Sequence, residues 1–362
     1  MIDEPGVIRP AIGIVGSAAA LARYLDPVDL ARLEAVADVR RLELAGVDRE
    51  SNIPGDPATV ARLRDFVADL DAVVVTYGAP RLSEEILEAG PRLRMVGDLH
   101  GDRFAARVDV AAADRRGIPV VDTTNGSSDP VAEWALALIL IGLRNAASHF
   151  RRLIAGEVLW EDRSELSSDP GYRHGELSGK TVGLIALGLV GRRLVRLLQP
   201  FGVTVLVHDP GSTAALADAL DVELAPLDVV LSQSDVVVCL VPLTESTRGM
   251  LGKDELARLR PDSVFVNVSR GAVVDTDALI ERLRRGDIVA CLDVVDPEPL
   301  AVDSPLRAMP NVFLSPHIAG VTAEAEPRFF AYMVDEVLRV FAGRRPRFPL
   351  LQREHDASDE GK

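Results

Sequence analysis

Short runs of β-branched and apolar residues alternate along the chain with Ala-, Leu- and Arg-rich segments of helical period, and this pattern occurs twice. Near-continuous apolar strands are buried on both faces, which calls for parallel sheets covered by helices. The first series of expected strands is Ala11 to Val15, Val39 to Leu42, Ala72 to Val75, Arg94 to Val96 and Pro119 to Val121, with helices such as Pro57 to Leu70 and Arg81 to Ala89 between them. The second runs through Thr181 to Ile185, Thr204 to His208, Val236 to Leu240, Ser263 to Val268, Ile288 to Asp293 and Val312 to Leu314. The class is α/β with two doubly wound parallel sheets, and 362 residues suffice for two such domains.

Between the two series the pattern predicts one long helix, capped by Asp129 with Pro130 at its first position and continuing to about Ala155. A last amphipathic helix, about Ala323 to Phe341, has no further strand to serve in the second domain and is expected to return to the first. The first domain is then discontinuous, residues 1–127 and 321–350, around a second domain of residues 128–320, with 351–362 as a solvated tail.

Charge removes several function classes. Lys and Arg number 40 against 55 Asp and Glu, a formal net charge of −15, which repels phosphate backbones and anionic lipid heads. Neither nucleic acid nor a membrane is an expected partner. The longest nearly pure apolar run, Trp134 to Leu143, is half of the ~20 residues a spanning helix needs. Asp3 and Glu4 stand where a secretory signal carries basic residues, which points to the cytoplasm. Cys239 and Cys291 each lie inside an apolar run and read as small core residues, so neither a disulfide nor a metal is expected.

The segment Thr181-Val-Gly-Leu-Ile-Ala-Leu-Gly-Leu-Val-Gly191 reads as strand, tight turn and helix start. Gly188 lets the backbone approach a pyrophosphate, Gly191 lets the helix pack on the strand, and the helix N-terminus offers N–H groups to phosphates. Ala186 occupies the position that normally holds the first glycine, and should crowd the turn without abolishing it. Asp209 ends the next strand about 20 residues on, where a carboxylate accepts hydrogen bonds from the ribose hydroxyls of adenosine. No arginine follows it at once, so NAD is expected in preference to NADP. This second domain is therefore expected to be a Rossmann cofactor domain.

Ligands of open α/β sheets bind at the carboxyl ends of the strands. Three polar residues follow such ends: Arg270, Glu298 and His317. Arginine can bind a carboxylate at two points, histidine can give or take the proton that accompanies hydride transfer, and a carboxylate beside it orients the ring.

The set Gly188-Leu-Val-Gly191, Asp209, Val268-Ser-Arg-Gly-Ala-Val-Val-Asp275, Asp293-Val-Val-Asp-Pro-Glu-Pro299 and Ser315-Pro-His-Ile-Ala-Gly320 resembles the D-isomer-specific 2-hydroxyacid dehydrogenases, in order and spacing, from roughly Leu93 to Gly320. The resemblance implies a flavodoxin-like substrate domain beside the Rossmann domain and interconversion of a small 2-keto acid and its D-2-hydroxy acid. It implies that Arg270 binds the substrate carboxylate and carbonyl, that His317 is the acid/base, and that Glu298, rather than the neighbouring Asp296, is its partner. It further implies a cofactor site including Leu189, Val190, Pro242, Thr247, Val268 and Asp293, the last on the nicotinamide carboxamide, and a homodimer in which the helix 129–155 takes part.

One departure concerns the substrate. Leu99-His-Gly-Asp-Arg-Phe-Ala-Ala-Arg-Val-Asp109 stands where the family has a shorter Gly-rich loop, which makes His100 and Gly101, with Tyr77 past an earlier strand, the candidates for substrate contact. The alternative for His100 is an ordinary solvated loop histidine; Trp134 reads as an interface or core residue rather than part of the substrate pocket. A second class of function, a nicotinamide-sensing corepressor on the same fold, is disfavoured by the intact Arg270, Glu298 and His317 and by the lack of a basic patch. A methyltransferase leaves Arg270 and His317 unexplained.

Overall fold

Valine and isoleucine dominate the expected strands because a β-branched side chain packs well on a pleated surface buried from both sides. The computed structural model describes residues 9–44, 55–100, 107–162, 164, 165, 169, 171 and 175–350. Gly101, His174 and the tail 351–362 lie outside them. The chain divides into two compact units, residues 1–127 with 323–362 and residues 128–322.

The first unit is built on strands β1 (Ala11–Gly16), β2 (Asp38–Glu43), β3 (Ala72–Val75), β4 (Met95–Asp98) and β5 (Val120–Asp122). Their order is β2-β1-β3-β4-β5, all parallel, the flavodoxin-like winding. Strands β1, β3, β4 and β5 are wholly buried, whereas the edge strand β2 exposes Asp38, Arg40, Arg41 and Glu43, charges that discourage further pairing. The helix Ala325–Phe341 belongs to this unit and buries Phe330, Met333, Val334 and Val337. Its approach to β4 requires Gly97, where a Cβ would lie 2.5 Å from Met333 Sδ.

In the second unit, β6 (Thr181–Ile185), β7 (Thr204–His208), β8 (Glu223–Leu224), β9 (Val236–Cys239), β10 (Val264–Asn267), β11 (Val289–Leu292) and β12 (Val312–Leu314) form one parallel sheet ordered β12-β11-β10-β9-β6-β7-β8. The order reverses between β6 and β9, which is the switch point of a Rossmann sheet. Two apolar layers sandwich it, and Cys291 lies in one and Cys239 in the other, both free and buried. Strand β8 escapes sequence reading because its two residues are both exposed and show no period.

The single helix expected from Asp129 to about Ala155 is two helices, Ser128–Leu143 and Ala146–Ile154. Asn145 breaks them by adopting the left-handed region (φ 45°), which asparagine tolerates, and its Nδ2 donates to Gly171 O at 3.0 Å. Asp129 is not the cap either. The turn Thr124–Ser127 runs directly into the helix, and Asp129 instead pairs with Arg193. The segment Thr124–Leu143 has the length and mean hydropathy (1.2) of a spanning helix, but half of it is buried in the protein. Ala132, Ala135, Leu138 and Ile139 pack into the core, and a Cβ on Gly142 would lie 2.4 Å from Val264 Cγ1 of β10, so we read it as a core helix.

Candidate active site

The turn after β6 passes through Ala186, Leu187 and Gly188 into the helix Leu189–Leu198. Ala186 holds the conformation that a glycine would hold without strain, with φ at 81°, and its N–H donates to His208 O at 2.8 Å. Crowding of the turn thus takes the form of backbone strain. Gly191 is required by contact, since a Cβ there would lie 2.9 Å from Ala186 O. Gly188 is different: a Cβ would meet no other atom within 4 Å, so internal packing does not require a glycine there and the space beside it is open. Leu189 and Val190 open the helix half-buried, with their backbone at its N-terminal turn.

Asp209, at the end of β7, accepts Leu187 N–H at 2.7 Å on Oδ2 and Gly211 N–H at 2.9 Å on Oδ1. It is half-exposed, and each oxygen keeps a further lone pair for a ribose hydroxyl. In the loop after β9 the Thr247 hydroxyl donates to Pro242 O at 2.7 Å, and Val268 is buried just beyond β10. An open glycine, a helix N-terminus and a half-exposed carboxylate on one sheet edge fit a dinucleotide.

Strands β10, β11 and β12 are neighbours, so the loops that follow them leave from the same edge. Arg270 follows β10, where Asn267 shapes the turn: its Nδ2 donates to Arg270 O at 3.1 Å and its Oδ1 accepts Ser269 N–H at 3.0 Å. A Cβ on Gly271 would lie 2.0 Å from Val295, so the loops bearing Arg270 and Glu298 touch through their backbones. Asp275 caps the helix Thr276–Leu283, accepting Ala278 N–H at 3.0 Å.

His317 Nδ1 and Glu298 Oε1 are 2.8 Å apart. Their side chains are 40% and 43% exposed, so a substrate can reach the pair. Asp296 is instead tied through its carbonyl to the Thr276 hydroxyl at 2.8 Å. Asp293, which the sequence reading placed in the cofactor site, is buried, and its carboxylate accepts Ser315 Oγ–H at 2.6 Å and Ile318 and Ala319 N–H at 3.0 Å each. The Ser315 hydroxyl oxygen in turn accepts the indole N–H of Trp134 at 3.2 Å. Nothing local in the sequence marks Trp134 as part of the site, whereas Ser315 carries a signal by standing at the head of Ser-Pro-His.

The family model for the NAD binding domain of D-isomer specific 2-hydroxyacid dehydrogenases matches residues 136–319. The chain belongs to the D-isomer-specific 2-hydroxyacid dehydrogenase family. It is 35% identical over 281 residues to a glyoxylate reductase of Korarchaeum cryptofilum, covering 76% of this chain and 80% of that one. It is 31% identical over 287 residues to a D-3-phosphoglycerate dehydrogenase of Methanocaldococcus jannaschii, covering 79% of this chain but 52% of the relative. The crystal structure of apo D-mandelate dehydrogenase from Rhodotorula graminis shares the fold at a TM-score of 0.78, with 23% identity and coverage of 94% and 97%. As a D-2-hydroxyacid dehydrogenase the chain is an NAD-dependent oxidoreductase.

The first unit of this dehydrogenase holds a cluster that the sequence showed only in part. His100 is 6% exposed, not solvated, and stacks on Tyr77 with ring centroids 4.0 Å apart. Tyr24 and Phe329 meet the same imidazole edge-on at 4.3 and 5.5 Å. Arg107 lies over Tyr77 and donates to Asp98 Oδ1 at 3.2 Å and to His100 O at 3.2 Å. Burial pushes the Asp98 carboxyl up to about 7, opposed by the Arg107 guanidinium. Burial, with the Arg107 charge, pushes His100 down to about 3.

The sign of the His100 effect follows. Between about 3 and its ordinary 6.5 the folded protein binds fewer protons at His100 than the unfolded chain. The stability it contributes is therefore complete above 6.5 and is lost as pH falls toward 3. Asp98, raised, acts in the opposite sense, so the two must be separated by mutation. Relative to His100→Gln, the wild type should lose about 2 kcal/mol of stability between pH 7 and pH 5 in urea unfolding. A difference independent of pH contradicts the burial of a neutral imidazole.

Proposed function

We propose that the enzyme reduces a small 2-keto acid to its D-2-hydroxy acid, with Arg270 binding the carboxylate and carbonyl and His317 supplying the proton. The observation that carries this reading is the 2.8 Å pair of His317 Nδ1 and Glu298 Oε1 on the same sheet edge as Arg270 and the cofactor turn. Glu298 accepts the Nδ1 proton, which leaves Nε2 as the atom that gives or takes a proton. Bound NADH supplies the hydride. Arg270 neutralises the substrate carboxylate and polarises the carbonyl, so negative charge developing on oxygen meets a fixed cation. Gly188, Leu189, Val190, Gly191, Asp209, Pro242, Thr247 and Val268 are the cofactor-binding residues in this proposal.

NADH oxidation with glyoxylate, hydroxypyruvate, phosphohydroxypyruvate and larger 2-keto acids tests the reading. His317→Gln should lower kcat by about 10²- to 10⁴-fold with NADH still bound. Arg270→Lys should lose most turnover, because an ammonium keeps the charge without the planar two-point contact. Survival of turnover in Arg270→Lys with loss of NADH binding places that residue in the cofactor site instead.

Asp209 favours a ribose hydroxyl over a 2′-phosphate, so NADH should bind at least roughly tenfold more tightly than NADPH, about 1.4 kcal/mol. Equal dissociation constants in fluorescence titration remove that role from Asp209.

We also infer a cytoplasmic homodimer without nucleic-acid or membrane partners, the latter from the charge of −15. Phe150, Leu153, Ile154, Val158 and Trp160 are exposed together on and just after the helix Ala146–Ile154, an apolar set that a second copy would cover. Sedimentation should show a dimer for the wild type and monomers for Ile154→Glu; a monomeric wild type contradicts the inference.

A further inference from the structure

His317 holds a left-handed backbone conformation, φ 55°, which is uncommon outside glycine and which its surroundings hold in place. Here the enforcing group is one residue. Asp293 O accepts His317 N–H at 2.8 Å, and the Asp293 carboxylate accepts the next two N–H groups, those of Ile318 and Ala319. Three consecutive amides are thus bound to Asp293.

The carboxylate is itself oriented from behind. Trp134 Nε1 can only donate, so the Ser315 oxygen must accept from it and the single Ser315 hydroxyl proton must point to Asp293 Oδ1. The direction of the chain Trp134 to Ser315 to Asp293 therefore needs no assumed tautomer. Its far end is anchored in the helix Ser128–Leu143, whose side chains pack into the core of the sheet.

We propose that Trp134 and Ser315 are positioning residues for the acid/base: through Asp293 they hold the 315–319 turn that keeps His317 beside Glu298. The proposal rests on the function given above for His317, and it assigns the Asp293 carboxylate first to the histidine turn. Rotation of φ at His317 swings its Cβ and separates Nδ1 from Glu298. Misplacement of a proton donor by about 1 Å costs on the order of a hundredfold in rate.

The test is a double-mutant cycle with a readout independent of substrate. Ser315→Ala should lower kcat by about 10- to 100-fold, and Trp134→Phe by less, with the NADH dissociation constant and the KM for the keto acid within about twofold of wild type. Ser315→Thr, which keeps the hydroxyl, should restore turnover. Since Trp134 acts through Ser315, the double variant should match Ser315→Ala alone. In hydrogen exchange followed by mass spectrometry, the peptide holding Ile318 and Ala319 should exchange about tenfold faster in Ser315→Ala than in wild type at equal global stability. Unchanged exchange, additive losses, or a fall in NADH affinity that parallels kcat overturns the proposal. A wild type that turns over no keto acid refutes the function and leaves the exchange result to decide the clamp.

Discussion

A parallel sheet covered on both faces leaves its chain only one place for polar chemistry, the ends of its strands. Strands β9, β10 and β11 of the second unit are buried throughout, and β6 nearly so. The groups able to bind a dinucleotide, a carboxylate and a proton all occur in loops that follow β6, β7, β9, β10, β11 and β12. Crowding these loops on one edge has a steric consequence. Gly271 against Val295 and Gly191 against Ala186 are contacts at which no side chain fits.

Strain concentrates on the same edge. Among the described residues, five other than glycine have positive φ; Asn145, Asp221 and Asp262 are of types that tolerate it at turns. Ala186 and His317 are the remaining two, one in the turn after β6 and one beside Glu298; histidine is also enriched at positive φ, alanine is not. Such positions cost roughly 1–3 kcal/mol each and persist where hydrogen bonds over-determine them. Around Ala186 those bonds come from His208 O and from Asp209, which holds the next amide; around His317 they come from Asp293. Asp209 and Asp293 therefore each have a structural task besides any contact with a ligand.

The first unit solves a separate electrostatic problem. Its loop after β4 buries Arg107 against Asp98, and a guanidinium with five donors needs several acceptors when removed from water. Asp98 and the carbonyl of His100 serve its two terminal nitrogens, and the imidazole stays neutral within a shell of aromatic rings. This cluster stands where the family resemblance implies a shorter glycine-rich loop.

Local pattern was sufficient for the parallel α/β class, for most strands to within a residue or two, and for the placement of Arg270, Glu298 and His317 after strands of the second sheet, because strand period and motif spacing are properties of adjacent residues. Asn145 was not readable as a helix break, since asparagine also occurs inside helices and its bond to Gly171 O exists only in the folded chain. Strand β8 was too short to carry a period. The burial of His100 and the chain from Trp134 through Ser315 to Asp293 depend on partners that folding brings together from distant positions, Trp134 and Ser315 being 181 residues apart. Sequence by itself determined which chemical groups stand at the strand ends; tertiary structure decided how they are held, because hydrogen-bond direction and burial exist only once those distant segments meet.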